Sequence, residues 1–109
     1  MKIKAEKIKL PSIEKIFEKL ANVYDPELMI NIVDLGLVND VQVDKGKVFI
    51  ELTLTSPYCP AGENIKKEAI KEIKKLKEVK YVSIKFIWNP PWGPEKMSEA
   101  ARLELGYAI

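Results

Sequence analysis

An amphipathic helical run between two strand-like runs constrains the fold of this chain more than any other feature. Apolar and polar residues alternate over residues 47–55 and again over 81–88, whereas residues 63–77 repeat apolar side chains at helical spacing. The strand–helix–strand order predicts a right-handed crossover that brings both strands into one sheet, with the helix's Lys and Glu side chains facing water. The residues expected to face the core are Val48, Ile50, Leu52 and Leu54 of the first strand and Ile65, Ala69, Ile70, Ile73 and Leu76 of the helix. In the second strand, Val82, Ile84, Phe86 and Trp88 share one face.

The chain before this unit supplies a helix and the first strand of a hairpin. Ser12 is placed to cap a helix whose apolar side chains recur at 3.6-residue spacing as far as Ala21 or Asn22. Residues 38–43 form a hairpin with the 47–55 strand. Its loop, Asp44-Lys45-Gly46, offers a glycine for a positive φ angle.

The tail places two tryptophans around a proline pair, in Trp88-Asn89-Pro90-Pro91-Trp92. Either both rings pack on the sheet, or Trp88 and Trp92 form an aromatic anchor for a partner protein. Pro94 suits the start of a short last helix and Gly106 its end. The elements together predict a single α/β (α+β) domain over residues 1–109. It is a two-layer sandwich in the order helix-strand-strand-helix-strand, with a small mixed sheet of about three strands and a short C-terminal helix.

Composition excludes several classes of protein. The chain has no histidine and one cysteine, so a Cys–His pair, an imidazole acid or base, and a self-contained zinc or iron–sulfur site are all ruled out. A net charge of +2 and a single arginine argue against nucleic acid as a partner, and no apolar run has the length of a membrane span. The first residues lack the pattern of a signal peptide, and an unpaired cysteine fits the cytoplasm. Lys and Glu enrichment with one glutamine is typical of a thermophile.

The cysteine, Cys59, stands where the second strand turns into the central helix. Unpaired N–H groups at a helix N-terminus favour an anion, so a thiol there ionises more easily and becomes a nucleophile or metal ligand. The alternative is that Cys59 is a small buried core residue, which is a common role for cysteine.

Acidic side chains interrupt an otherwise apolar segment that ends at Gly36, a residue free to adopt an unusual backbone conformation. Asp25 precedes a proline, which favours a turn. Asp25, Glu27 and Asp34 are therefore either turn formers and caps or components of a site.

Three sequence blocks together resemble the SufT/PaaD-like family of iron–sulfur cluster assembly domains. They are Asp25-Pro26-Glu27 with Ile32-Val33-Asp34-Leu35-Gly36-Leu37, then Thr53-Leu54-Thr55-Ser56-Pro57-Tyr58-Cys59-Pro60, then Trp88-Asn89-Pro90-Pro91-Trp92 with Met97-Ser98 and Arg102-Leu103-Glu104-Leu105-Gly106. The match covers about residues 12–106. It departs from the family pattern at Met29, where a second proline is common, and at Gly93, where a Thr or Ser often caps the last helix. The chain also lacks a Cys-rich C-terminal extension and a P-loop.

The resemblance implies an accessory factor that builds iron–sulfur clusters or transfers them to apo-proteins. It implies that Asp25, Glu27, Asp34, Thr55 and Ser56 surround Cys59 in one depression, with Cys59 as a ligand of a transient cluster shared with another subunit or protein. The expected partners are Fe–S carrier or scaffold proteins, a P-loop scaffold ATPase, apo client proteins and a second copy of the chain, without nucleic acid or membrane.

Two other hypotheses stay open at the level of sequence. In one, the chain is a cysteine-dependent enzyme in which Asp25, Glu27 or Asp34 activates Cys59 with support from Thr55; the absence of histidine argues against it. In the other, the chain is a protein-interaction adaptor that binds no cluster.

Overall fold

The computed structural model describes residues 11–56 and 60–106. The elements in chain order are helix α1 (Ile13–Leu20), strands β1 (Val38–Asp44) and β2 (Lys47–Leu52), helix α2 (Gly62–Ile73), strand β3 (Tyr81–Phe86), a 3₁₀ turn (Pro94–Lys96) and helix α3 (Glu99–Leu105). The predicted α+β class, the element order and the short C-terminal helix are confirmed.

The three strands form one mixed sheet in the order β1-β2-β3. β1 and β2 pair antiparallel as the predicted hairpin, with one irregularity between Val38 and Asp40. β2 and β3 pair in parallel, so the chain from Thr53 to Lys80 is the predicted crossover. Helix α1 packs against α2 and β1, and α2 packs against β3, which makes the helices the second layer of the sandwich.

The core lies between the helices and one face of the sheet. Val48, Ile50 and Leu52 of β2 are buried, as predicted, because alternate side chains of a strand share a face. The helices contribute the buried side chains Ile16, Leu20, Ile65, Ala69 and Ile73. Each large aliphatic side chain removed from water in this way contributes about 1.5–3 kcal/mol to stability. The Ser12 cap is also confirmed, since its hydroxyl accepts the N–H of Lys15.

Two of the regular elements are shorter than predicted. Strand β2 ends at Leu52 rather than Thr55. Thr53 is buried rather than on the open face, and its N–H donates to the Leu37 carbonyl. Helix α2 ends at Ile73 rather than near Lys77, since the N–H groups of Lys75 and Leu76 bond to carbonyls three residues back and tighten the turn.

The hairpin loop also differs from the prediction. Lys45, not Gly46, adopts the positive φ angle, of 57°. Gly46 is required for a different reason: a Cβ there would lie 2.9 Å from the Lys80 side chain and 3.2 Å from the Glu78 carbonyl oxygen. The Gly46 carbonyl in turn accepts the N–H groups of Lys80 and Tyr81, so the loop holds the start of β3 in place.

The start of the last helix was predicted one turn too early. Pro94 begins the 3₁₀ turn, whereas α3 begins after Ser98, whose hydroxyl accepts the N–H of Ala101 at 3.1 Å. Gly106 ends α3 with a φ of 84°, as predicted. Because Ser98 caps the helix, Gly93 does not occupy the capping position inferred from the family pattern.

Two side chains depart from the predicted pattern. The alternation predicts that Trp88 shares a face of β3 with Phe86, but the strand ends at Phe86, and Trp88 stacks on that ring while 46% exposed. Glu72 of α2 was expected to face water, but it is buried. Its carboxylate accepts the Asn22 side-chain amide at 3.2 Å and pairs with Lys75 at 2.7 Å, which satisfies the charge inside the helix layer.

Candidate functional site

The three sequence blocks meet at one end of the sheet. Because β2 and β3 are parallel, their carboxyl ends lie side by side, and both strands continue there into block residues. The Thr53 N–H donates to the Leu37 carbonyl and the Ile87 N–H to the Leu52 carbonyl, each at 2.8 Å. The crossover topology therefore brings described parts of the three blocks to one end of the sheet, and ligand sites of α/β sheets commonly form at such strand ends.

Asp25 shapes the segment between α1 and β1, residues 21–37, which we call the acidic loop. Its side chain is only 2% exposed, and Oδ1 accepts the N–H groups of Glu27 at 2.8 Å and Leu28 at 3.1 Å. The Asp25 carbonyl also accepts the Met29 N–H, which closes the turn. This is the turn-forming geometry of aspartate, and it presents the exposed Glu27 at the loop surface.

Asp34 is fixed by a residue that the sequence reasoning missed, Asn31. The Asn31 side chain donates to Asp34 Oδ2 and accepts the Asp34 N–H, both at 2.9 Å. Asn31 also pairs with Tyr24 in an isolated bridge, so the two ends of the loop are joined. The three-residue spacing of Asn31 and Asp34 is the sequence signal that would have identified this mutual capping.

The chain after β3 is hydrogen-bonded to the same loop. The Ser98 N–H donates to the Asp34 carbonyl at 2.8 Å, and the Trp92 indole N–H donates to the Leu35 carbonyl at 2.7 Å. Gly36 has a φ of 76°, as expected for its special role, and any Cβ there would overlap the Lys96 carbonyl. The first and third blocks therefore form one structural unit.

The acidic loop faces the first half of α2, the helix that follows the second block. A cavity of about 330 Å³ lies between Tyr24 and Pro26 of the loop and Asn64, Ile65 and Glu68 of the helix. Within the second block, Thr55 and Ser56 are half-buried. Cys59 falls outside the described residues, so its predicted position relative to Asp25, Asp34 and Thr55 stays a prediction.

A second groove runs between the acidic loop and α3, and we call it the Met29 groove. Its volume is about 250 Å³, and its lining includes Tyr24, Met29, Ile30, Asp34, Ala101 and Glu104. Tyr24 lines both this groove and the cavity beside α2, so the two depressions are neighbours. Met29 has a φ of 59°, which a proline cannot adopt, so the loop carries a conformation that the family's second proline would forbid.

Two absences concern residues 11–56 and 60–106. Within these ranges no three acidic side chains come together as a metal site. Within the same ranges no helix is both long enough and apolar enough to cross a membrane.

Comparison with known proteins defines the class. The chain belongs to the family of iron–sulfur cluster assembly proteins, whose pattern matches residues 13–86. This membership confirms the SufT-like resemblance of the three blocks.

Individual relatives extend the match over most of the chain. The chain is 46% identical over 94 residues to the Fe-S protein maturation auxiliary factor YitW of Bacillus subtilis, covering 85% of this chain and 92% of that protein. It is 40% identical over 85 residues to the Fe-S protein maturation auxiliary factor SufT of Staphylococcus aureus, covering 77% and 97%. The crystal structure of a domain of unknown function from Bacillus anthracis shares the fold with a TM-score of 0.83 at 38% identity, covering 87% of this chain and 92% of that one.

Proposed function

We propose that this chain is an accessory factor in the assembly of iron–sulfur clusters or their transfer to apo-proteins. The observation that carries the proposal is the family match, because two relatives at least 40% identical to the chain are named Fe-S protein maturation auxiliary factors. The proposal assigns no catalytic step to the chain.

Cys59 is the residue proposed to contact the cluster. Thiolate sulfur is the ligand that iron–sulfur chemistry prefers. Helix α2 begins at Gly62, three positions after Cys59, and Ala61 offers its first turn no side-chain cap. The partial positive charge of these N–H groups supports a thiolate close to the helix start. A reduced thiol also requires a reducing compartment, so we propose the cytoplasm as the location.

The cluster is cargo in this proposal, because the chain supplies too few ligands to keep one. With one cysteine and no histidine, it leaves most of a cluster's coordination open. The remaining ligands would come from a second copy of the chain or from an Fe–S carrier or scaffold protein, a P-loop scaffold ATPase included. Release to an apo client then requires client thiolates to replace the Cys59 thiolate and the partner's ligands in turn, and each displaced ligand stays on its own protein.

The surrounding residues are proposed to shape the pocket around Cys59. Asp25 holds the loop through its two backbone hydrogen bonds, and Asp34 is fixed by Asn31. Glu27 offers a carboxylate at the loop surface, while Thr55 and Ser56 lead the chain from β2 towards Cys59. Trp88, which is 46% exposed, and the half-buried Trp92 are proposed as part of the partner surface.

Anaerobic reconstitution tests the proposal. The wild-type protein and Cys59→Ser are each incubated with ferrous iron and sulfide, alone and with a purified Fe–S carrier protein, and the visible spectrum is recorded. The expected result is charge-transfer absorption that depends on Cys59, in the protein alone or in the complex. Transfer is then followed by the recovered activity of an apo Fe–S enzyme, with Asp40→Asn on the sheet's open face as a matched control.

Two outcomes separate the versions of the proposal. If no cluster in the protein or its complex depends on Cys59, direct ligation is wrong. If Cys59→Ser still accelerates maturation of the apo enzyme as well as wild type does, the chain acts as an adaptor that brings carrier and client together.

A further inference from the structure

The Met29 groove has the size of a site for side chains rather than for a whole organic ligand. Its volume of about 250 Å³ lies below the roughly 300–1,000 Å³ of typical small-molecule sites. Ile30 and Ala101 form a buried apolar floor, and Met29 and Tyr24 stand at its rim, 71% and 55% exposed. One apolar side chain entering from a partner would cover surface that is otherwise in contact with water.

Met29 is held in a conformation that exposes it. A φ of 59° places this residue in the left-handed region, which costs a residue with a side chain about 1–2 kcal/mol relative to the right-handed one. The turn keeps Met29 there because its N–H is bonded to the Asp25 carbonyl at 2.8 Å. Methionine is flexible and polarizable, so it adapts to the shape of an incoming apolar side chain.

The charges that line the groove are both negative. Asp34 lies on the loop side and Glu104 on the α3 side, and no Lys or Arg lines the groove. Among the described residues the ion pair formed is Lys75–Glu72, on α2, so neither groove carboxylate is neutralised by an ion pair within residues 11–56 and 60–106. The Asn31 amide holds Asp34 Oδ2 in a fixed orientation, which lowers the entropic cost of binding a cation there.

We infer that the Met29 groove docks a segment of a partner protein in which an apolar side chain stands next to a Lys or Arg. The apolar side chain enters between Met29 and Ala101, and the basic one lies between the carboxylates of Asp34 and Glu104. Since Tyr24 is shared with the cavity beside α2, a partner seated here lies next to the first half of that helix, whose start follows Cys59 in the sequence. The inference deepens the proposed function by giving the partner's chemistry, and it rests on that function only for the partner's identity.

Peptide titrations followed by ¹⁵N–¹H NMR test the inference directly. Four acetylated and amidated hexapeptides of glycine and serine differ only in a central pair: leucine–arginine, leucine–glutamate, leucine–glutamine and serine–arginine. The leucine–arginine peptide is expected to shift the amides of Met29, Ile30, Ala101 and Glu104, with a dissociation constant on the order of millimolar. The leucine–glutamine and serine–arginine peptides are expected to bind roughly fivefold more weakly, and the leucine–glutamate peptide more weakly still.

Charge-reversal variants make the test specific. Glu104→Lys is expected to weaken leucine–arginine binding at least about fivefold and to strengthen leucine–glutamate binding. Asp40→Lys makes the same change in net charge on the open face of the sheet and is expected to leave binding within about twofold. The dispersion of each variant's spectrum confirms that it is folded.

Several results would overturn the inference. Absence of shifts at the groove with every peptide at about 10 mM means that the groove is not a docking site. Equal binding of the serine–arginine and leucine–arginine peptides would mean that the groove is only an acidic patch that binds cations. Equal effects of Glu104→Lys and Asp40→Lys would mean that binding depends only on the net charge of the protein. Peptide binding by Cys59→Ser is expected to match wild type, so a failure of cluster chemistry leaves this test intact.

Discussion

The indole N–H of Trp92 donates a 2.7 Å hydrogen bond to the backbone carbonyl of Leu35, and so joins the tail to the acidic loop. The Ser98 N–H makes a second such bond to the neighbouring Asp34 carbonyl. The groove wall formed by α3 is therefore held by two hydrogen bonds to backbone carbonyls of the acidic loop, as well as by apolar packing. The loop and the last helix are expected to move as one body.

Replacing Trp92 by phenylalanine keeps an aromatic ring but removes the donor. A partly buried Leu35 carbonyl then loses its partner, and the free energy of unfolding is expected to fall by about 1–3 kcal/mol. Chemical denaturation monitored by far-UV circular dichroism measures the change. Trp88→Phe is the matched control, because this ring is 46% exposed, and it should cost less than about 0.5 kcal/mol. Equal losses from the two variants would mean that the Trp92–Leu35 bond contributes nothing.

Gly36 and Gly106 differ in why glycine is required: both have a positive φ angle, but only Gly36 also lacks space for a Cβ. Both have positive φ angles, of 76° and 84°, but a Cβ at Gly36 would overlap the Lys96 carbonyl, whereas a Cβ at Gly106 meets nothing within 4 Å. Gly106→Ala is expected to cost about 1 kcal/mol, from backbone strain alone. Gly36→Ala is expected to cost more than about 4 kcal/mol or to prevent folding. Similar melting temperatures for the two variants would show that the loop and the 3₁₀ turn are not in close contact.

Met29→Gly is expected to stabilise the protein while it removes the groove's apolar rim. Relief of the left-handed strain outweighs the greater entropy of glycine in the unfolded chain, for a net gain of about 0.5–1 kcal/mol. Thermal unfolding measures the gain, and Met29→Ala serves as the control because it deletes most of the side chain but keeps the strain. If Met29→Gly is no more stable than Met29→Ala, the positive φ angle costs nothing in this loop.

Glu72 gives the fold a dependence on acidic pH. The hydrogen bonds from Lys75 and then Asn22 lower the pKa of Glu72 below its ordinary value of 4.5, against the opposing effect of burial. A lowered carboxyl pKa contributes stability above pH 4.5, and this stability is lost as the pH falls through the folded-state pKa.

Melting temperatures of wild type and Glu72→Gln from pH 7 to pH 3 test this dependence. Wild type should be the more stable at neutral pH, and the difference should vanish at the acidic end. Lys75→Met removes the main cause of the shift and should reduce the difference. A constant difference across the pH range would contradict this account of Glu72.

Sequence patterns predicted the regular part of the fold because burial enforces them. The alternation of Val48, Ile50 and Leu52 required one buried face, and the amphipathic run between two strands required a crossover. The element ends were less predictable. The regular strands end at Leu52 and Phe86, and the residue types of Thr53 and Trp88 do not indicate these ends, because strand pairing depends on segments far away in sequence.

The sequence pointed to candidate polar residues of the acidic loop, but it did not show the contacts that hold them. Asp25, Asp34 and Gly36 are visible in the sequence because their types are unusual in an apolar segment. Asn31 and Glu104 are not, because an amide on a loop or an acid on a helix is ordinary until its neighbours are known. The positive φ angle of Met29 was also hidden, since residues with a side chain rarely adopt it and the bond from its N–H to the Asp25 carbonyl is not evident from the sequence.

The hairpin turn that carries Lys45 offers an attachment point for a reporter. The parallel pairing of β2 and β3 places this turn at the opposite end of the sheet from the three blocks, at a distance of roughly 17 Å along the strands. Lys45 is exposed, and the chain contains a single cysteine. Lys45→Cys in the Cys59→Ser background therefore provides one labelling position, from which a fluorophore or surface tether reports on partner encounters without occupying the end of the sheet where they are proposed to take place.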